Sequence, residues 1–259
     1  MSSLPVILEA KNICMRFGGL KAVDELSFQI RQGQLMGLIG PNGAGKTTVF
    51  NMLTGVYQPT GGEILFAGQK TLGLKPFQVS RLGMSRTFQN IRLFKELSVF
   101  DNVLLAGSKS ISYGLFDSVL WSKKFRQQES ALKKKAMELL SIFNLQDKYQ
   151  EQAGSLPYGE QRKLEIVRAL ATDPKLICLD EPAAGMNHNE THQLMETIAK
   201  IRKDFNLTVL LIEHDMKLVM GICEHIVVLD HGTKIEEGPA EQIKNSKKVI
   251  EAYLGTDEG

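Results

Sequence analysis

Residues Gly40, Pro41, Asn42, Gly43, Ala44, Gly45, Lys46 and Thr47 spell GPNGAGKT, set between the apolar run LMGLI and the helical pattern TTVFNMLTG. No other feature constrains the fold as strongly. Glycines at 40, 43 and 45 lack the Cβ atoms that would block close approach, so successive N–H groups can surround an anion at a positive helix N-terminus. The pattern G-x-x-x-x-G-K-[ST] arises by chance in a chain of this length on the order of one time in a hundred. Its strand-before, helix-after setting is the one a phosphate cradle needs. Within an ATP site, Lys46 neutralises the β- and γ-phosphates, Thr47 offers its hydroxyl to Mg²⁺, and Thr48 follows on the same helical turn. A phosphate loop alone leaves kinases, GTPases, helicases and transporter ATPases open.

Around this loop, short apolar runs at LMGLIG (35–40), LICLD (176–180) and TVLLIEH (208–214) alternate with helical patterns. Such alternation predicts an α/β fold with a parallel sheet covered by helices. Ligands of open α/β sheets bind beyond the carboxyl ends of the strands, so the polar residues ending these runs are expected to converge on one site. VDELSFQIRQG and GGEILFAGQK read instead as antiparallel strands broken by glycine turns, which implies a small β subdomain. Residues 91–158 hold no comparable strand-like run but include a polar helical stretch from Ser122 to Asn144, an inserted helical subdomain. The expected division is 1–90 with 159–259 as nucleotide-binding core, and 91–158 as the insertion. HIVVLDHGTKIEEG predicts a hairpin turning at Asp230–Gly232, followed by a short helix.

Composition excludes more than it assigns. The 259 residues can bury a large core. Lys plus Arg (31) balances Asp plus Glu (29), so no strong field gathers nucleic acid. No run is long and apolar enough to span a bilayer, and the N-terminal residues do not read as a signal peptide. Cys14, Cys178 and Cys223 are few and far apart, as buried thiols of a reducing compartment would be. The expected location is the cytoplasm, with any membrane role exercised by docking on another protein.

LICLDE at 176–181 is an apolar run ending in two carboxylates. In a phosphate-loop protein this places Asp180 to hold the Mg²⁺ shell and Glu181 to polarise the attacking water.

Ahead of it, LPYGEQRKLEIVRAL at 156–170 resembles the signature motif of ABC ATPases, with Leu156, Pro157, Tyr158, Gly159 and Glu160 on the five positions of the LSGGQ consensus. That resemblance implies a P-loop NTPase core of RecA-like type, an antiparallel β subdomain and an inserted α-helical signature subdomain. It also implies a second ATP-binding subunit, like or unlike, whose bound nucleotide is closed over by this signature tip. Gln89 in RTFQN resembles the family's glutamine that meets metal and water, His214 the switch histidine, and Phe17 the aromatic residue that stacks on adenine. Pro157 replaces the usual serine and Asn187 the usual aspartate of the loop after the catalytic acid.

The Pro-Tyr-Gly signature, EPAAGMN and FGGLKAVDELSF resemble the ATPases of branched-chain amino-acid importers. Such a subunit works with two membrane permease subunits and an external solute-binding protein. A urea, amide or other amino-acid importer is the nearest alternative. Soluble ABC proteins of ribosome or DNA usually carry a second ATPase domain or a long coiled coil, neither of which is present, and a small-molecule kinase lacks the signature. His188 and His192 do not complete a zinc motif, Lys133–Lys135 read as a solvated helix face, and the sequon at Asn206 needs a compartment the chain is not expected to meet.

Overall fold

A computed structural model describes residues 4–108 and 123–254. Backbone packing divides the chain into two units. One comprises Met1–Arg86, Lys175–Pro182 and Ile198–Gly259; the other comprises Thr87–Pro174 and Ala183–Thr197.

The first unit holds two sheets. Strands β3 (Leu35–Ile39), β6 (Met84–Arg86), β7 (Leu176–Asp180), β8 (Thr208–Ile212), β9 (His225–Asp230) and β10 (Thr233–Gly238) form one, in the order β10-β9-β3-β8-β7-β6. All pairs are parallel except the β9–β10 hairpin. Every residue of β3, β7 and β8 is buried, which is why these strands read as continuous apolar runs rather than alternating ones. Edge strand β6, only three residues long, carries no apolar run and left no mark in the sequence pattern.

β1 (Val6–Phe17), β2 (Leu20–Arg31), β4 (Gly61–Phe66) and β5 (Gln69–Lys70) make the antiparallel sheet, ordered β2-β1-β4-β5. Helix α1 (Lys46–Leu53) lies in the same core, where Phe50, Leu8, Ile30, Phe66, Leu38, Leu210 and Val227 form one apolar cluster. A short helix, α2 (Pro76–Arg81), precedes β6. The β9–β10 hairpin turns at His231 (φ 44°) and Gly232 (φ 79°), two consecutive left-handed residues that match the twist of a two-residue hairpin. After α7 (Met216–Ile222) and this hairpin, α8 (Ala240–Lys244) and α9 (Lys247–Leu254) give two short helices where one was expected.

The second unit is helical: α3 (Val99–Gly107), α4 (Lys123–Ile142) and α5 (Tyr158–Ala171), with the first turns of α6 (His188–Asp204). The helix expected over Ser122–Asn144 appears as α4, although Ser122 lies outside the described residues. Ser98 caps α3 by accepting the Asp101 N–H at 3.0 Å. Leu132, Ala136, Leu139 and Leu140 make the buried stripe of α4. At Gly107 a Cβ would come within 2.6 Å of the Leu132 side chain, so this glycine lets α3 and α4 approach closely. All of α5 goes with these helices, which it contacts, and Leu164, Ile166, Val167 and Leu170 are among its buried residues. The unit boundary therefore falls beyond α5 rather than at residue 159, and a segment after β7 joins the same unit.

Candidate functional site

In the first unit, β3, β8 and β7 are adjacent and parallel, so their carboxyl ends open on one edge of the sheet. The phosphate loop leaves β3 there, Glu213 and His214 leave β8, and Asp180 and Glu181 end β7. At Gly40 (φ 151°) a Cβ would lie 2.1 Å from the Leu229 carbonyl; at Gly45 (φ 98°) it would lie 2.6 Å from that of Ala22. Only glycine fits either place. The loop is also braced from behind, since the Gly232 N–H donates to Ala44 O at 3.1 Å and the Asp24 N–H to Gly232 O at 2.9 Å.

Gly45 caps α1 without a side-chain acceptor, and no acidic residue occupies its first turn, so the helix directs its N–H groups and positive end into the loop. Lys46, 8% exposed, donates from Nζ to Gly40 O at 2.6 Å and to Pro41 O at 2.9 Å. Burial pulls its pKa down, while the charges of Glu181 and Asp180 hold it up. Thr47 is exposed beside it and Thr48 half-buried. Pro41, Asn42, Gly43 and Ala44 also line a groove of about 490 Å³ with His231, and with Lys248 and Glu251 of α9.

Asp180 is 2% exposed, and Arg86 Nη2 stands 3.6 Å from its Oδ2. Arg86 is in turn anchored on α1 through Nη1, which donates to Asn51 Oδ1 at 2.8 Å and Thr54 Oγ1 at 3.0 Å. Glu181 follows with φ 47°, a left-handed conformation that costs a non-glycine residue about 1 kcal/mol or more. Its N–H donates to Ile212 O at 3.0 Å. His214 Nδ1 lies 3.9 Å from Glu181 Oε1 and 3.9 Å from Glu213 Oε2. Phe17 ends β1 with its ring exposed and edge-on to Tyr57, the centroids 5.4 Å apart at 74°.

The second unit carries Gln89 and the signature residues. Leu156 is buried, Pro157 occupies the N-cap of α5, and Tyr158, Gly159 and Glu160 form its first turn. Lys148 Nζ pairs with both oxygens of Glu160, at 2.8 and 2.6 Å. The Tyr158 ring lies against Gly185, where a Cβ would come within 2.8 Å of it. Asn187 caps α6 by accepting the Glu190 N–H at 3.0 Å, while Glu190 Oε2 accepts the Asn187 N–H at 3.0 Å. An amide serves this reciprocal cap as well as a carboxylate does. Lys135 reaches the Ala171 carbonyl and Asp173 at the end of α5, so this member of the basic stretch is a helix-end partner.

Sequence reasoning missed Arg86, Glu213, Arg162 and Glu165, all buried or nearly so. For Glu213 the available signal was a charged residue directly after the buried run TVLLI.

Comparison with known proteins gives the family. The family profile described as ABC transporter matches residues 23–184, and one described as branched-chain amino acid ATP-binding cassette transporter matches residues 233–259. The high-affinity branched-chain amino acid transport ATP-binding protein LivG of Escherichia coli (strain K12) is 48% identical over 249 residues, 96% of this chain and 98% of that protein. BraF of Pseudomonas aeruginosa, named likewise, is 47% identical over the same shares. A crystal structure of the ADP conformation of an ATP-binding cassette of an ABC transporter superposes with a TM-score of 0.83 at 31% identity, covering 97% of this chain and 99% of that one. Phosphate loop, acid pair, signature helix and kinship over nearly the full length agree: the chain belongs to the ABC transporter family, as one of its ATP-binding cassettes.

Proposed function

We propose that this cassette hydrolyses ATP to drive uptake of branched-chain amino acids through membrane permease subunits. The observation that carries the chemistry is the meeting of Lys46, Asp180 and Glu181 beyond the carboxyl ends of β3 and β7, the parallel strands on either side of β8. The cargo reading is supported by the relatives named for branched-chain amino acid transport.

In this reading the loop from Gly40 to Thr47, with Thr48, wraps the phosphates, and Lys46 gives up its carbonyl partners for phosphate oxygens. Phe17 offers its exposed ring to adenine. Thr47, Asp180 and Gln89 supply only oxygen donors, a set suited to a hard cation such as Mg²⁺. When bound, that ion neutralises phosphate charge. Glu181 orients and polarises water, and His214 beside it reaches the γ-phosphate. Leu156, Pro157, Tyr158, Gly159 and Glu160 act on the nucleotide of a second ATP-binding subunit, where the N-terminus of α5 offers backbone N–H groups in place of the missing serine hydroxyl. Two permease subunits and an external solute-binding protein complete the transporter, and the permease subunits hold the cassette at the inner membrane face. Among the described residues no helix is long and apolar enough to cross a membrane, in keeping with a peripheral subunit.

Glu181→Gln is expected to keep nucleotide affinity, lower kcat by about 10²–10⁴-fold, and accumulate an ATP-dependent dimer on gel filtration. Parental turnover in that variant removes Glu181 from its role. Uptake of radiolabelled leucine, isoleucine and valine into vesicles carrying the transporter tests the cargo. Uptake of urea or another amide in their place overturns the cargo and leaves the ATPase standing.

A further inference from the structure

Residues 88–94 form no helix or strand, so their backbone groups need partners elsewhere. Several are found on one face of α5, where Arg162, Glu165 and Arg168 recur every third residue. Arg162, wholly buried, donates Nη1 to the Phe88 carbonyl at 2.6 Å, and Nη2 to the Gln89 carbonyl at 2.6 Å and the Tyr158 hydroxyl at 3.2 Å. Glu165 Oε1 accepts the N–H groups of Phe88 at 3.2 Å and Arg92 at 3.4 Å, while its Oε2 accepts from Arg162 at 3.1 Å. Arg168 donates to the Arg92 carbonyl and stands 5.0 Å over the Phe94 ring.

Stability alone is a poor reason for this stripe. Burial pushes the Glu165 carboxyl up despite Arg162 beside it, and the Nε groups of Arg162 and Arg168 are buried without a partner. Apolar residues of similar volume hold a helix at no such desolvation cost. What the stripe provides is directional grip on the backbone at Gln89 from the helix whose first turn is the signature.

We propose that Arg162 and Glu165 are positioning residues that lock the Gln89 loop to the signature helix. Gln89 and the tip Tyr158–Gly159 then move as one body, and engagement of the tip by a second subunit's nucleotide fixes where Gln89 stands. That coupling presupposes the roles proposed above for Gln89 and the tip.

The test is a double-mutant cycle of Gln89→Ala and Arg162→Met, read as kcat and KM for ATP in the intact transporter, with amide hydrogen exchange on the purified full chain. Glu165→Met is expected to speed exchange at Phe88 and Arg92, whose N–H groups it accepts, by about tenfold or more, and Arg162→Met to lower kcat with KM for ATP changed less than about twofold. Adding Gln89→Ala should then lower kcat by less than about twofold further. Arg162→Lys, which keeps the charge against Glu165 and one donor, should recover part of the loss and serves if the methionine variant fails to fold. Multiplicative effects of the two substitutions, or unchanged exchange at Phe88 and Arg92, overturn the lock. Full activity of Gln89→Ala with Arg162 intact overturns instead the role of Gln89, and exchange alone then decides whether the loop is held by α5.

Discussion

Asp180 depends on a residue that no motif names. Arg86 spans from the carboxylate on β7 to Asn51 on α1 and Thr54 at its C-cap, so one guanidinium joins that acid to the helix that begins at Lys46. Both partners of the ion pair are nearly buried, and removing one side of such a pair typically costs about 3 kcal/mol or more. Arg86→Met is therefore expected to lower unfolding free energy by about that amount in urea; a loss under about 1 kcal/mol would show that Asp180 is held by other groups. Glu181 belongs to the same scale. Its left-handed backbone was invisible in the sequence, because LICLDEP gives the acid but not the φ of 47° at which it is held. Arg162 and Glu165 were hidden for a related reason: on a helix that passes for amphipathic, charged residues at i and i+3 read as the solvent face.

Among the elements, the β9–β10 hairpin carries a pH-sensitive contact. The His225 ring at 3.0 Å holds the Glu237 carboxyl below the usual carboxylate range, burial opposing it and Lys234 assisting. A lowered folded-state pKa means that this contribution is complete above the ordinary value of 4.5 and is lost as pH falls through the folded value. Glu237→Gln should accordingly be less stable than the parent at pH 7, and should lose less stability between pH 7 and about pH 3.5. Urea midpoints of both proteins at the two pH values check this, and equal acid losses contradict it. Elements were legible where one force dominated: β3, β7 and β8 are buried on both faces and read as apolar runs, and the hairpin turn was marked by Asp230–Gly232. By contrast β6 is specified by its neighbour, since β7 supplies the pairing that three residues cannot specify alone. Cys14, half-buried on β1, is less enclosed than the buried thiol expected of it, whereas burial pushes the Cys178 thiol up to about 12.

Across the whole molecule, the groups proposed for one hydrolysis event are divided between units and between subunits. Phosphate loop, acid pair and His214 fall in one unit, whereas Gln89 and the signature fall in the other. Because the signature is read as acting on a second subunit's nucleotide, the total ATPase rate of the purified chain should approach second order in protein concentration at high dilution, so that activity per chain falls on dilution. Activity per chain that is constant from about nanomolar to tens of micromolar would contradict the shared site. The two-unit division was only partly legible, since helix α5 continues directly from the signature and nothing in its sequence says which side its apolar face joins.

The brace behind the phosphate loop has a consequence for the order of synthesis. Ala44 accepts its hydrogen bond from Gly232, which itself accepts from Asp24, so residues far apart in the chain hold one turn in shape. At ordinary translation rates Gly232 is made on the order of ten seconds or more after the loop it supports. Until then the nascent chain has the phosphate-binding sequence without the hairpin behind it. High-affinity nucleotide capture is thus expected only late in synthesis, once the β9–β10 hairpin has closed behind the loop.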